Sequence, residues 1–161
     1  MWIYFLKNVK QRIQDQFKQN WRGRLQDSSR ALFYNHIASF TFQPYLDFVD
    51  IFKFRKCMSM LRVSSHRLCI ETGRWAKPNV IPLYERKCNM CDSIEDEYHF
   101  VLECSLYSEI RIKFIPKYYR VRPSMQKFVE LICSDNKTAL VKLSFIYHAF
   151  KLRTELLLTA N

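Results

Sequence analysis

The chain has 161 residues, of which 48% are hydrophobic, 16% aromatic and 25% charged, the balance of one compact domain or of a domain with a small appended module. Two glycines and five prolines exclude a long flexible linker and any collagenous or low-complexity class. No apolar run approaches the roughly 20 residues that cross a bilayer. The 26 Lys+Arg against 15 Asp+Glu leave a formal net charge of +11, an excess that favours polyanionic partners.

In chain order, Trp2, Leu6, Val9, Ile13 and Phe17 recur on one face and predict a first helix, with Lys7, Lys10, Arg12 and Lys18 largely off that face. Trp21-Arg22-Gly23-Arg24 is expected to break it. A second helix is expected from Asp27 or Ser28, either of which can cap it, to about Ile37, with Ala31, Leu32 and Ile37 apolar. After Pro44, the positions Phe48, Phe52, Met58 and Leu61 predict a third helix over Tyr45–Val63. Ser64 or Ser65 caps a short helix through Leu68 and Ile70, and Gly73 is expected to end it in the left-handed region. Pro78 and Pro82 impose an extended stretch. Beyond residue 104, helices are predicted at about Tyr107–Phe114, Ser124–Cys133 and Thr138–Leu158. No internal repeat is present. The fold class is mainly α: a small helical domain with a zinc-knuckle-like CCHC insert.

The charge is partitioned. Residues 1–87 carry 16 Lys+Arg and 6 Asp+Glu, net +10; residues 88–104 carry none and 5, net −5; residues 105–161 carry 10 and 4, net +6. The acidic insert also holds three of the six cysteines, so charge and sulfur mark the same stretch. It reads Cys88-Asn89-Met90-Cys91, seven residues, His99, four residues, Cys104. A C-x2-C pair can curl into a knuckle with both sulfurs on one ion, and His99 and Cys104 follow on a helical turn and its end. Three thiolates and an imidazole suit one structural zinc ion. They fill all four tetrahedral positions and leave none for an activated water, so the motif points to folding and not to hydrolysis. A disulfide pair is the competing reading, but nothing signals secretion.

Glu95, Asp96 and Glu97 are expected in the first turn of the short helix, where its dipole favours negative charge, and Phe100, Val101 and Leu102 on its apolar face. Asp92 or Glu95 can orient a ligand from behind. The remaining Cys57, Cys69 and Cys133 read as buried or half-buried thiols. A hydrolase built on Cys69 and His66 lacks an oxyanion site and an orienting partner.

The stretches Arg62–Leu68, Ile70–Trp75, Arg86-Lys87-Cys88 and Glu95–Cys104, with Ile115–Tyr119 and Arg122–Met125, resemble the C-terminal zinc-binding region of reverse transcriptases from animal non-LTR retrotransposons. The resemblance spans roughly residues 20–155. It carries the four ligands over to Cys88, Cys91, His99 and Cys104. It implies binding of element RNA or target DNA during target-primed reverse transcription, with the polymerase core of the parent element as a further partner. It does not imply polymerisation here, because that chemistry needs clustered carboxylates on two metal ions and the sequence has neither an Asp-Asp pair nor Tyr-x-Asp-Asp. No Pro-Asp followed by Asp/Glu-x-Lys stands after Cys104, so the nuclease of some related elements is not carried over. The chain thus reads as non-enzymatic, a detached C-terminal piece of a longer element.

Arg62, Arg67 and Arg74, with His66 beside them, are the first basic candidates for polynucleotide contact. Arg86 and Lys87 abut the first ligand. Arg111 and Lys113 open a second group that continues through Lys117, Arg120 and Arg122, with Tyr118 and Tyr119 interleaved. Core packing is the expectation for those two tyrosines and for Trp2, Trp21 and Trp75. The division expected is a basic helical flank at 1–75, a zinc-binding module at 76–115 and a C-terminal helical region at 116–161. The acidic insert should face away from phosphates while zinc braces the flanks. RNA, DNA or both are the expected partners, without membrane or small-molecule substrate, and the expected location is intracellular, in nucleus or cytoplasm. A protein-interaction module and a non-functional remnant are the alternatives.

Overall fold

The computed structural model describes residues 2–29, 32–134 and 144–159. Among them are nine α-helices, and the strand-like pairing is a single antiparallel bridge between Lys87 and Ile94. The helices are α1 (Trp2–Gln26), α2 (Leu32–Ile37), α3 (Tyr45–Phe48), α4 (Phe52–Arg62), α5 (Cys69–Thr72), α6 (Ser108–Phe114), α7 (Lys117–Arg120), α8 (Met125–Cys133) and α9 (Ser144–Thr159). The mainly α class expected from the sequence holds.

One apolar cluster organises the molecule. Met58 and Leu61 of α4, Phe128, Leu131 and Ile132 of α8, and Phe145, Ile146 and Ala149 of α9 are sealed from solvent, together with Leu68 and Tyr107. Each of the Leu, Ile, Met and Phe side chains among them contributes roughly 1.5–3 kcal/mol by leaving water. Helix α9 packs on α4 and α6, while α2 bridges α1, α4 and α8, with Phe33 stacked on Phe128 at 5.0 Å between centroids. Phe100, Val101 and Leu102, from the metal-binding stretch, lie in this same core: Phe100 stacks on Phe150 at 4.7 Å and meets Tyr107 edge-on at 4.8 Å. Described residues from each of the stretches 1–75, 76–115 and 116–161 contribute to this one core.

Several elements differ from expectation for identifiable reasons. Helix α1 runs through Trp21–Arg24 unbroken, because Trp21 continues its apolar stripe onto Phe40 at 5.4 Å and nothing lies within 4 Å of where a Gly23 side chain would be. The expected third helix is split: Val49 and Ile51 are extended, with ψ of 91° and 107°, and Val49 thereby reaches the core. The short helix after Ser64 starts only at Cys69. Ser64 takes φ 51°, and its hydroxyl donates to Glu97 at 2.6 Å instead of capping. Gly73 is right-handed, φ −64°. Its lack of a side chain serves close approach, since a Cβ there would meet Arg86 Cγ at 2.7 Å. Ser124 caps α8 as expected, accepting from the Lys127 N–H at 3.3 Å. The short α7 between Pro116 and Val121 was not expected. The expected start of α9, with Leu140 and Leu143, and the Ala31 position of α2 lie outside the described residues.

Candidate metal centre

The knuckle is built by a tight hairpin. Glu95 N–H donates to the Arg86 carbonyl at 2.9 Å and Cys88 N–H to the Ser93 carbonyl at 2.7 Å, which folds Cys88 and Cys91 onto one side. Asp92 makes the turn with φ 54°, a conformation that aspartate tolerates better than most residues. Lys87 Nζ closes the hairpin from outside on Asp92 at 2.9 Å. Being exposed, that pair contributes little.

The other two ligands come from a wide helical turn. Asp96 Oδ1 accepts from the His99 N–H at 2.7 Å and starts it. The turn over His99–Glu103 closes with a five-residue hydrogen bond, Cys104 N–H to the His99 carbonyl at 2.8 Å. That π geometry explains the four-residue spacing: residues five apart come over one another only where the turn is wider than an α-helix.

Cys88, Cys91, His99 and Cys104 each offer a ligand atom, all within 4.8 Å of one another. Sγ of Cys104 is 3.8 Å from that of Cys88 and 3.7 Å from that of Cys91. No two of the sulfurs are bonded. Sulfurs on a tetrahedral ion at about 2.3 Å stand about 3.8 Å apart. His99 is buried and neither ring nitrogen has a hydrogen-bond partner; Glu103 stands 3.7 Å from Nδ1, beyond hydrogen-bond reach. An orphaned buried imidazole is costly unless something else takes its lone pair. The four residues fit one metal ion, and geometry alone does not select which.

Burial pushes the Cys104 thiol up to about 12, so a cation is what would ionise it at neutral pH. The Ser105 hydroxyl, 3.2 Å away, holds Cys91 below the usual thiol range against burial. Three thiolates around a divalent ion leave the centre at −1. The buried guanidinium of Arg111 sits beside it, donating to the carbonyls of Val101 at 2.8 Å and Cys104 at 2.7 Å. Burial lowers the Arg111 pKa, and the neighbouring cysteines oppose that shift.

Of the five acids of the insert, Glu95 and Glu97 turn inward, while Asp92 and Glu103 are exposed. Glu95 is 4% exposed and takes both the Arg153 guanidinium, at 2.9 and 2.7 Å, and the Cys69 N–H at 2.7 Å. Glu97 is 5% exposed and accepts from Ser64 and from His66 Nε2 at 3.0 Å. These pairs lock the knuckle to α9 and to the loop before α5. Neither Asp92 nor Glu95 backs a ligand; Ser105 and Arg111 do, and no spacing rule marks a serine or an arginine as such.

The basic candidates separate on burial. Arg62 is 3% exposed; it donates to the Ile132 carbonyl at 2.9 Å and to Gln43 at 2.5 Å and lies over Tyr45. Arg111 is internal as described. These two form no part of a solvent-facing basic surface, and the structure corrects that expectation. Arg74 pairs with Glu71 at 3.2 Å. Arg86 donates to the carbonyls of Ile81 and Ile70 at 2.9 and 3.0 Å. Arg67, Lys87 and Lys113 are exposed. Against expectation, Trp2 and Trp75 are 79% and 66% exposed, and Tyr118 is exposed too. Cys133 is exposed, whereas Cys57 and Cys69 are half-buried.

Comparison of the chain with protein-family models, with curated proteins and with solved structures gives no match. Among the described residues, no helix is long and apolar enough to cross a membrane.

Proposed function

We propose that the chain is a zinc-stapled, non-catalytic module that binds RNA or DNA, of the kind found at the C-terminal end of retrotransposon reverse transcriptases. The observation that carries it is the closed set of Cys88, Cys91, His99 and Cys104, with both His99 nitrogens unpartnered. Three sulfurs and one imidazole at tetrahedral spacing favour zinc over the hard cations, which take oxygen. A saturated ligand set supplies structure, not an activated water. The net charge of +11 supports a polyanionic partner, and the buried Glu95 and Glu97 are matched by the buried Arg62 and Arg111, so most of that excess stays at the surface. The resemblance of residues 62–75, 86–88 and 95–104 to the retrotransposon region supports the same reading.

Two measurements test it. Purified protein should contain one zinc per chain by elemental analysis, and Cys88→Ser should lose it. Binding to RNA and DNA oligonucleotides should weaken steeply with salt. Protein without stoichiometric zinc, or a chain that ignores both nucleic acids at low salt, removes the reading.

A second reading rests on α1. Trp2, Ile3, Phe5, Leu6, Ile13 and Phe17 are each 58% or more exposed, an apolar stripe of the kind that marks an interface. In a longer polypeptide the polymerase core would cover it; alone, it fits a protein-interaction module.

A further inference from the structure

Where α4, α6 and α9 meet, four half-buried rings form a continuous row. Tyr147 lies 5.3 Å from Phe54, and Phe54 lies 6.1 Å from His148. His148 stacks on Phe114 at 5.1 Å, with the planes only 10° apart. Three exposed lysines frame the row. Lys53 Nζ is 4.7 Å above the Tyr147 ring and 5.5 Å from Phe54, and Lys113 Nζ is 5.5 Å from Phe114. Lys151 follows His148 by three residues on α9, which places it on the same side of the helix; it pairs loosely with exposed Glu155 at 3.7 Å. Burial, then the charges of Lys113, Lys53 and Lys151, hold the His148 imidazole below its usual range.

Resting on the nucleic-acid reading above, we propose that this row is a binding surface for single-stranded polynucleotide, with bases stacking on the rings and phosphates meeting Lys53, Lys113 and Lys151. Rings explain a single strand better than a duplex, whose base faces are hidden within the stack. An acidic protein would use the lysines alone, whereas a single strand uses the lysines and the exposed parts of the rings. A second ring-and-lysine cluster is closed on itself: Lys127 Nζ donates to the carbonyls of Tyr118, Val121 and Arg122, and the hydroxyls of Tyr118 and Tyr119 donate to Glu130.

The test uses the full chain and fluorescent oligo(U), oligo(dT) and a duplex of equal length, followed by anisotropy across a salt series. The variant Lys53→Ala/Lys113→Ala/Lys151→Ala should lower the slope of log affinity against log salt for single strands by about 2. Phe114→Leu/Tyr147→Leu should weaken binding about tenfold with the slope unchanged. Lys7→Ala/Lys10→Ala/Arg12→Ala removes equal charge elsewhere and should do neither. Should the ring variant not fold, ultraviolet crosslinking of the wild type to a 4-thiouridine oligonucleotide replaces it and should map to the peptide holding Tyr147. Equal losses in both charge variants, a crosslink confined to other peptides, or tighter binding of duplex overturns the surface while leaving nucleic-acid binding intact. Wild type that binds none of the three probes overturns the nucleic-acid reading and the surface with it.

Discussion

Two buried contacts around the knuckle have consequences at the scale of single residues. A Cβ at Gly73 would stand 2.7 Å from Cγ and 2.9 Å from Cδ of Arg86. Arg86 is not free to retreat, because its guanidinium holds the Ile81 and Ile70 carbonyls. Gly73→Ala should therefore destabilise the fold by about 1–3 kcal/mol through overpacking, read from urea unfolding; an unchanged midpoint would mean that Arg86 yields. The Glu95–Arg153 pair is the second contact, with side-chain exposures of 6% and 12%. Arg153→Met leaves a buried carboxylate with only Cys69, through its N–H and its thiol, as described partner, and should cost about 3–5 kcal/mol. Burial works to raise the Glu95 pKa, but the Arg153 and Cys69 bonds prevail and leave it lowered from 4.5. A depressed carboxylate stabilises fully above its unfolded value and loses that contribution as pH falls through the folded one. The stability gap between wild type and Glu95→Gln should accordingly be flat above pH 4.5 and narrow below it, as thermal melts would register. The cluster of Cys88, Cys91, His99 and Cys104 was legible in the sequence because thiols and an imidazole at knuckle spacing have few other uses. Arg62 and Arg111 were misread because an arginine looks the same in sequence whether it faces phosphate or, as here, the carbonyls of Ile132, Val101 and Cys104.

At the scale of elements, α1 is the clearest case of a helix held at one end. Phe17 and Trp21 pack edge-on against Phe40 at 5.7 and 5.4 Å, and Asn35 donates to the Leu25 carbonyl at 3.0 Å, whereas Trp2 and Leu6 are 79% and 61% exposed. Trp21→Ala should free the C-terminal half of α1 and cost about 1–3 kcal/mol, while Leu6→Ala should stay within about 0.5 kcal/mol. Hydrogen exchange along α1 would distinguish the two, and equal protection loss in both variants would contradict this anchoring. Gly23 sits in open space within the helix, so Gly23→Ala should stabilise α1 by about 0.5–1 kcal/mol, seen as greater helical signal in circular dichroism. The periodicity of Trp2, Leu6, Val9, Ile13 and Phe17 made this helix legible. It could not say that the stripe faces solvent, because an apolar face predicts a need for cover and not its source. Boundaries failed where tertiary bonds competed with local ones: Ser64 gives its hydroxyl to Glu97, and Val49 turns extended to reach the core.

Across the whole molecule, the candidate metal centre and the apolar core share one segment of chain. The turn that supplies His99 and Cys104 also supplies Phe100, Val101 and Leu102, and Phe100 contacts Tyr107, Phe145 and Phe150. Without an ion, the turn would hold an unpartnered imidazole and a thiol raised to about 12 in a buried site. Its local stability would then fall while its apolar residues remained needed by α9. Ion removal should therefore lower the melting temperature of the entire chain in one transition, and not melt residues 88–104 alone. Phe100 links the insert to α9 through contacts with residues 45 and 50 positions away, a link invisible to spacing. The measurement is a melt followed at two probes, far-ultraviolet circular dichroism for the helices and near-ultraviolet signal for the aromatic core, before and after chelation. Coincident shifts at both probes, reversed by adding one equivalent of zinc, are the expected result. A chelated protein whose core signal persists to the original temperature would show that the knuckle is an appendage, and Arg153→Met would then cost far less than a buried pair should.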